Sequence, residues 1–198
     1  MGGDYQAIID LEATPDTAEA LAQRVVERLS GEGLITPSLD ANAVLGSSGG
    51  YRPGRRINDL YCPCPGEADM RYFKTLVTNG LEIHTRPWFN WFSGQFIQNY
   101  ACPRCNVVFP QDDALADQFY DAGRQFCGGV ARPMVLCPRC AAASAVQEWR
   151  FSNHLGFVYL AFVFWNWPPF DEPGWKVDVP ALISEVVGHK VVVAFGRV

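Results

Sequence analysis

Residues 156–167 read GFVYLAFVFWNW, and this stretch decides how the rest of the chain is read. In an extended conformation Phe157, Tyr159, Ala161, Val163 and Trp165 fall on one face. Val158, Leu160, Phe162 and Phe164 fall on the other, so both faces are apolar. A strand of this kind belongs at the centre of a sheet that is covered on both sides. The run from Phe157 to Trp165 is too short for a membrane-crossing helix, which needs about 20 residues. Pro168-Pro169 ends it, because proline cannot donate to a ladder.

The segments flanking this strand supply helices and further strands. DVPALISEVVG (178–188) places Val179, Leu182, Ile183, Val186 and Val187 on one helical face, with Gly188 as a stop. HKVVVAFGRV (189–198) is a β-branched strand. Near the start, YQAIIDLEA (5–13) sets Tyr5, Ala7, Ile9 and Leu11 against Gln6, Asp10 and Glu12, with Ile8 on the polar side. The period of two predicts a half-buried strand. Thr14-Pro15-Asp16 then opens a helix. Ala18, Leu21, Ala22, Val25, Val26 and Leu29 predict that it runs from about Pro15 to Ser30 and stops at Gly31 or Gly33. LEIHTR (81–86) alternates as a strand. Residues 36–66 are rich in turn formers and predict a long surface connection, followed by a short helix over 68–77.

The resulting order is strand, helix, strand, strand, helix, strand. It predicts an α+β protein, a ferredoxin-like β-α-β-β-α-β sheet over 1–99 and 143–198, with a module inserted at 100–142. The alternative is an α+β sheet with extra strands from residues 36–76. Both helices of a ferredoxin-like sheet cover one face, so the second face of the central strand needs a cover of its own. The insert and the 36–80 connection are expected to supply it, with WFNWF (88–92) as apolar material. A partner chain is the alternative.

The insert carries the strongest chemical signal. Cys102-Pro103-Arg104-Cys105 and Cys137-Pro138-Arg139-Cys140 are identical CPRC knuckles with 31 residues between them. Two tight turns of this kind supply four thiolates, the full ligand set of a tetrahedral zinc site. Leu115, Phe119, Ala122 and Phe126 recur at i, i+4, i+7 and i+11, so a helix fills the long gap. Two redox dithiols are the competing reading, and iron would accept the same ligands. Over about residues 100–142 the knuckles resemble the zinc-ribbon family, which implies metal ligation by Cys102, Cys105, Cys137 and Cys140. The chain around them resembles small uncharacterised bacterial α+β proteins. Four thiolates close the coordination sphere, so the metal is expected to be structural. Cys127, between the knuckles, reads as a buried small hydrophobe and not as a fifth ligand. Cys62 and Cys64 form a C-P-C without a second pair.

Composition narrows the function classes. The chain has 198 residues, 48% of them hydrophobic and 19% charged, enough apolar material for an ordered core. The start, MGGDYQAIID, carries no secretory signal pattern, which predicts a cytoplasmic location where thiols stay reduced. A net charge of −5 disfavours a nucleic-acid clamp, and Tyr51-Arg52-Pro53-Gly54-Arg55-Arg56 is the only basic cluster. GSSGG (46–50) lacks the G-K-[ST] of a phosphate loop, and neither G-x-S-x-G nor H-E-x-x-H occurs.

Two constellations remain. Asp10 and Glu12 share a strand face, as do Glu82, His84 and Arg86. If those faces meet, they offer acid–base chemistry, but solvated cross-strand ion pairs are the expected state. His154 and His189 carry no pattern. Trp88, Trp91, Trp167 and Phe170 are the candidate interaction residues among aromatics that mostly build core. The function expected is therefore a non-enzymatic, zinc-containing interaction protein with a protein partner, of immunity or antitoxin type. A nucleic-acid-binding zinc ribbon is the first alternative, and an enzyme built on Asp10, Glu12 and His84 the second. No membrane association is expected.

Overall fold

The structure, a computed structural model, describes residues 3–45, 49–62, 75–90, 99–110, 113–152 and 156–197. Strand β1 (Asp4–Asp10) is followed by helix α1 (Ala18–Gly31). The hairpin β2 (Ile35–Asp40) and β3 (Gly50–Pro53) comes next, then the single turn α2 (Ile57–Leu60) and β4 (Leu81–His84). After β5 (Trp88–Phe89), the cysteine-bearing region holds β6 (Asn99–Ala101), β7 (Val108–Pro110), α3 (Asp113–Cys127), β8 (Met134–Leu136), β9 (Ala143–Ala145) and β10 (Arg150–Phe151). Strands β11 (Phe157–Val158) and β12 (Leu160–Trp165), helix α4 (Val179–Val187) and β13 (Val191–Arg197) complete the chain.

The main sheet has six antiparallel strands in the order β13-β1-β12-β4-β3-β2. All six residues of β12 are buried, as expected for its central place. Leu160, Phe162 and Phe164 meet α1 and α4 in the largest core cluster. Ala161, Val163 and Trp165 face the other way, against Ala43 and Val44 from the segment after β2. The expected single strand from Phe157 is broken at Tyr159. Phe157 and Val158 leave the main sheet to pair with Phe89 and Trp88. The break reverses the alternation: Val158 joins Val163 and Trp165, while Phe157 joins the core of the cysteine-bearing region.

Helix α1 buries all six apolar residues of the sequence pattern, although it starts at Ala18, after a turn through Pro15-Asp16-Thr17. Helix α4 begins where the Asp178 side chain accepts a hydrogen bond from the Ala181 amide at 2.9 Å. It ends at Gly188, whose φ of 79° is the left-handed conformation glycine tolerates.

Two expectations are corrected. Residues 36–66 are not a plain surface connection, because β2 and β3 extend the sheet at its edge. These are the extra strands that the alternative reading placed in residues 36–76. Strand β1 is not half-buried: Gln6, Ile8 and Asp10 on its supposed solvent side are all buried beneath the helices. Of the helix expected over 68–77, residues 68–74 lie outside the described residues.

Candidate metal centre

Two hairpin-like units form the centre. Cys102 and Cys105 sit in the turn between β6 and β7, and Cys137 and Cys140 in the turn between β8 and β9. Each knuckle is closed by the same bonds. The Asn106 amide donates to the Cys102 carbonyl at 3.1 Å, and the Ala141 amide to the Cys137 carbonyl at 2.9 Å. The Cys102 and Cys137 amides donate to the carbonyls of Val107 and Ala142. Asn106 (φ 56°) and Ala141 (φ 54°) both adopt the left-handed conformation, so the two turns share one backbone shape.

This shape aims four sulfurs at one point. All four Sγ atoms lie within 4.8 Å of one another. Cys102 and Cys140 are 4.0 Å apart, and Cys105 and Cys137 3.8 Å. Neither distance approaches the ~2.05 Å of a disulfide. A tetrahedron with metal–sulfur bonds of about 2.3 Å has edges of about 3.8 Å, so the cage fits a zinc-sized ion. Cys102 and Cys137 are buried, while Cys140 is exposed.

The thiols hold unequal protons. Burial pushes Cys137 up, but amide hydrogen bonds from Cys140 and Arg139, with neighbouring thiols, lower it to about 7. At Cys105 the Val107 amide pulls the value down, yet burial and the other three thiols raise it to about 11. Four thiols this close cannot all ionise without a cation among them.

Helix α3 roofs the centre. Leu115, Phe119, Ala122 and Phe126, the predicted face, are buried with Tyr100, Val135, Val146 and Trp149. The elements enclosing the cysteines reach from Asn99 to Phe151, since β10 pairs with β6. Cys127 lies at the end of α3, outside the four-cysteine cluster; it is exposed, not buried as expected, because it falls on the solvent side of the helix next to buried Phe126. Cys62 is exposed, and Cys64 lies outside the described residues.

Three arginines of this region are engaged internally. Arg104 and Arg132 both pair with Glu148, and Arg150 donates to Asn106 Oδ1 at 2.9 Å. Two of the three arginines of the basic cluster at 51–56 are paired as well. Arg52 Nε meets Asp40 Oδ2 at 2.9 Å, and this hydrogen bond holds the Asp40 carboxyl below the usual carboxylate range. Arg56 pairs with Glu32.

The acid–base constellation does not assemble. Asp10 stands opposite Leu160 and His84 opposite Ala161, so consecutive residues of β12 send them to opposite faces of the sheet. Asp10 is not solvated as expected, and His84 is half-buried. Asp10 is fully buried; its Oδ1 accepts from the amides of Glu12 and Ala13, and its Oδ2 lies 2.8 Å from His189 Nδ1. The hydrogen bond to Asp10 raises the His189 pKa above its ordinary value. Glu12 is exposed. Glu82 is buried and its Oε2 accepts the Trp165 indole N–H at 2.8 Å. The Asp10–His189 pair had no signal in the sequence, because its members are almost the whole chain apart.

The candidate interaction residues divide. Trp167 is buried, donates to the Asn79 carbonyl at 2.9 Å and stacks on Trp175, so its ring builds core. Phe170 is half-buried against Phe164 and Trp175. Trp88 is half-buried and stacked on His84. Trp91 and His154 lie outside the described residues.

The fold and the centre define an antiparallel α+β protein with a four-cysteine cluster placed to hold a metal ion. No protein-family model, curated protein or solved structure matches the chain. None of the described helices is long and apolar enough to cross a membrane.

Proposed function

We propose that this chain is a non-enzymatic interaction protein, in which a structural zinc ribbon stiffens a ferredoxin-like core that binds another protein. The order β13-β1-β12-β4, with α1 and α4 sharing one apolar cluster, supports the ferredoxin-like reading. Strands β3 and β2 are then an edge extension. The paired knuckles on two short hairpins support the ribbon, and the sulfur spacing suits zinc, with iron the other ion such ligands serve. A cage closed by four thiolates leaves no coordination position for a substrate.

The observation that carries the interaction reading is a groove beside the outer strand β13. It encloses about 620 Å³ and is lined by Phe170, Trp175, Val193 and Phe195. Among the described residues, Asp171, Glu172 and Asp178 border it against a single cation, Lys176. Strand β13 is at the end of the sheet order, so its outer edge offers backbone donors and acceptors beside this groove. An extended, basic segment of a partner suits both features, adding a strand while its side chains enter the groove.

The test is co-purification from the native host of the wild type and of a Phe195→Lys/Glu172→Lys variant. A stoichiometric protein partner held by the first and lost by the second is expected, with metal content unchanged. A partner set indifferent to the substitutions would remove β13 as the docking edge. No partner under any condition would remove the reading itself.

A further inference from the structure

The four sulfurs of the metal centre differ in access. Cys102 and Cys137 are buried, whereas Cys140 is exposed and Cys105 half-buried. Each knuckle therefore carries one enclosed and one accessible sulfur. Across the centre, each accessible sulfur faces an enclosed one from the other knuckle. Cys140 Sγ stands 4.0 Å from Cys102 Sγ, and Cys105 Sγ 3.8 Å from Cys137 Sγ. Closing either pair to the ~2.05 Å of a disulfide takes about 2 Å of approach, shared between two side chains.

Oxidation of a cysteine follows its thiolate character and its exposure. A metal-bound cysteine is a thiolate, and Cys140 is the most exposed of the four. A peroxide from solvent therefore meets Cys140 first, with Cys102 behind it as the second thiolate.

We propose that the centre is a peroxide-sensitive switch, in which Cys140 is oxidised, Cys102 resolves it and the metal ion is released. In the first step Cys140 Sγ attacks hydrogen peroxide and the O–O bond breaks. A sulfenic acid and hydroxide result, and the hydroxide takes a proton from solvent to become water. In the second step Cys102 Sγ attacks the Cys140 sulfur and the S–O bond breaks. A disulfide forms, and the departing hydroxide is protonated to a second water. The two sulfurs lose two electrons in all, and the peroxide oxygens gain them. Two thiolates then remain, half the set that a structural site needs, so the ion is no longer held. Cys105 and Cys137 repeat both steps with a second peroxide. The two disulfides tie the β6–β7 hairpin to the β8–β9 hairpin, as the metal does, so a thiol reductant can restore the site. The inference rests on the metal-centre reading and uses nothing of the β13 groove.

The experiment treats the full zinc-loaded chain with about a tenfold molar excess of hydrogen peroxide. A chromogenic chelator reads released zinc, and free thiols are counted in parallel. Near-complete loss of zinc in step with loss of the knuckle thiols is expected. A dithiol reductant with added zinc should reverse both. Trypsin cuts after Arg104 and Arg139, inside the two knuckles, so linked peptides report which cysteines have joined. The peptide ending at Arg104 joined to residues 140–150 is the expected product. Cys62→Ser/Cys64→Ser/Cys127→Ser, which leaves only the knuckle cysteines, should release zinc as the wild type does. Zinc retained after the treatment would overturn the proposal and leave the centre standing. So would disulfides only within each CPRC, sulfinic acid at Cys140 in place of a disulfide, or release that vanishes in the triple variant. A chain that takes up no stoichiometric zinc would overturn the proposal and the zinc centre together.

Discussion

Two helical glycines should respond to the same substitution with opposite sign. Gly31 closes α1, and a Cβ built there has no atom within 4 Å. Its replacement by alanine restricts the unfolded chain and favours the helix, worth about 0.5 kcal/mol at a helix end. Gly123 lies inside α3, where alanine would contribute about 0.8–1 kcal/mol on propensity alone. Its Cβ, however, would stand 2.5 Å from two ring atoms of Phe89 and 2.7 Å from a third. Carbon contacts settle near 3.5–4.0 Å, so the ring or the helix must move by about 1 Å. The ring is not free to do so, being stacked on Phe157 at 5.7 Å with planes only 5° apart. Overpacking of this kind costs about 1–3 kcal/mol, which exceeds the propensity gain. Gly123→Ala should therefore destabilise by about 1–2 kcal/mol and lower the Tm by about 3–6 °C. Gly31→Ala should raise it by about 1–2 °C. Denaturant titration of both variants and of Gly123→Ala/Phe89→Leu is the assay. The double variant should recover part of the loss, a coupling above about 0.5 kcal/mol. If Gly123→Ala stabilises as Gly31→Ala does, α3 does not rest on Phe89 and the cysteine-bearing region is not docked on the sheet.

Further outcomes are expected elsewhere. Cys105→Ser should lose the metal and open residues 100–142 to protease, since structural zinc carries about 10–16 kcal/mol of apparent binding free energy. Elemental analysis of reduced, untagged wild type must find about one zinc or iron per chain, and its absence would refute the centre. Asp10→Asn should cost about 2–3 kcal/mol in urea unfolding, because a fully buried carboxylate loses its charge-assisted bond to His189. A loss below about 0.5 kcal/mol would show that the pair is not formed. The His189 pKa is raised by Asp10, so its contribution is complete below the unfolded value of about 6.5 and is lost as pH rises through the folded value. Wild type should lose stability across that interval relative to His189→Gln, and parallel pH profiles would contradict the assignment.

Local pattern was enough for part of this protein. The helical faces of α1, α3 and α4, the two-sided burial of β12 and the four knuckle cysteines each follow from periodicity or short spacing, which neighbours in the chain enforce on one another. The Cys-Pro-Arg-Cys repeat needs only one turn per pair to aim its thiols, so the metal centre was legible before any fold was known. The added strands β2 and β3 were legible only as the alternative with extra strands from residues 36–76, because turn-rich residues pair only when an existing edge receives them. The break at Tyr159 was not legible: whether Phe157 continues the central strand or leaves it depends on Phe89 and Phe126 offering a second apolar site. Tertiary structure also decided the ionisable groups. Asp10 and His84 look alike in sequence, as polar residues of alternating strands. The antiparallel register sets them opposite neighbouring residues of β12, and neighbouring residues of a strand face opposite ways. One carboxylate therefore meets His189 beneath the helices, and the imidazole meets Glu82 and Trp88 on the opposite face of the sheet. Glu82 stands two residues from His84 on one strand, so that neighbour was legible locally; His189 is brought to Asp10 only by the folded sheet, and no local signal in the chain could have named it.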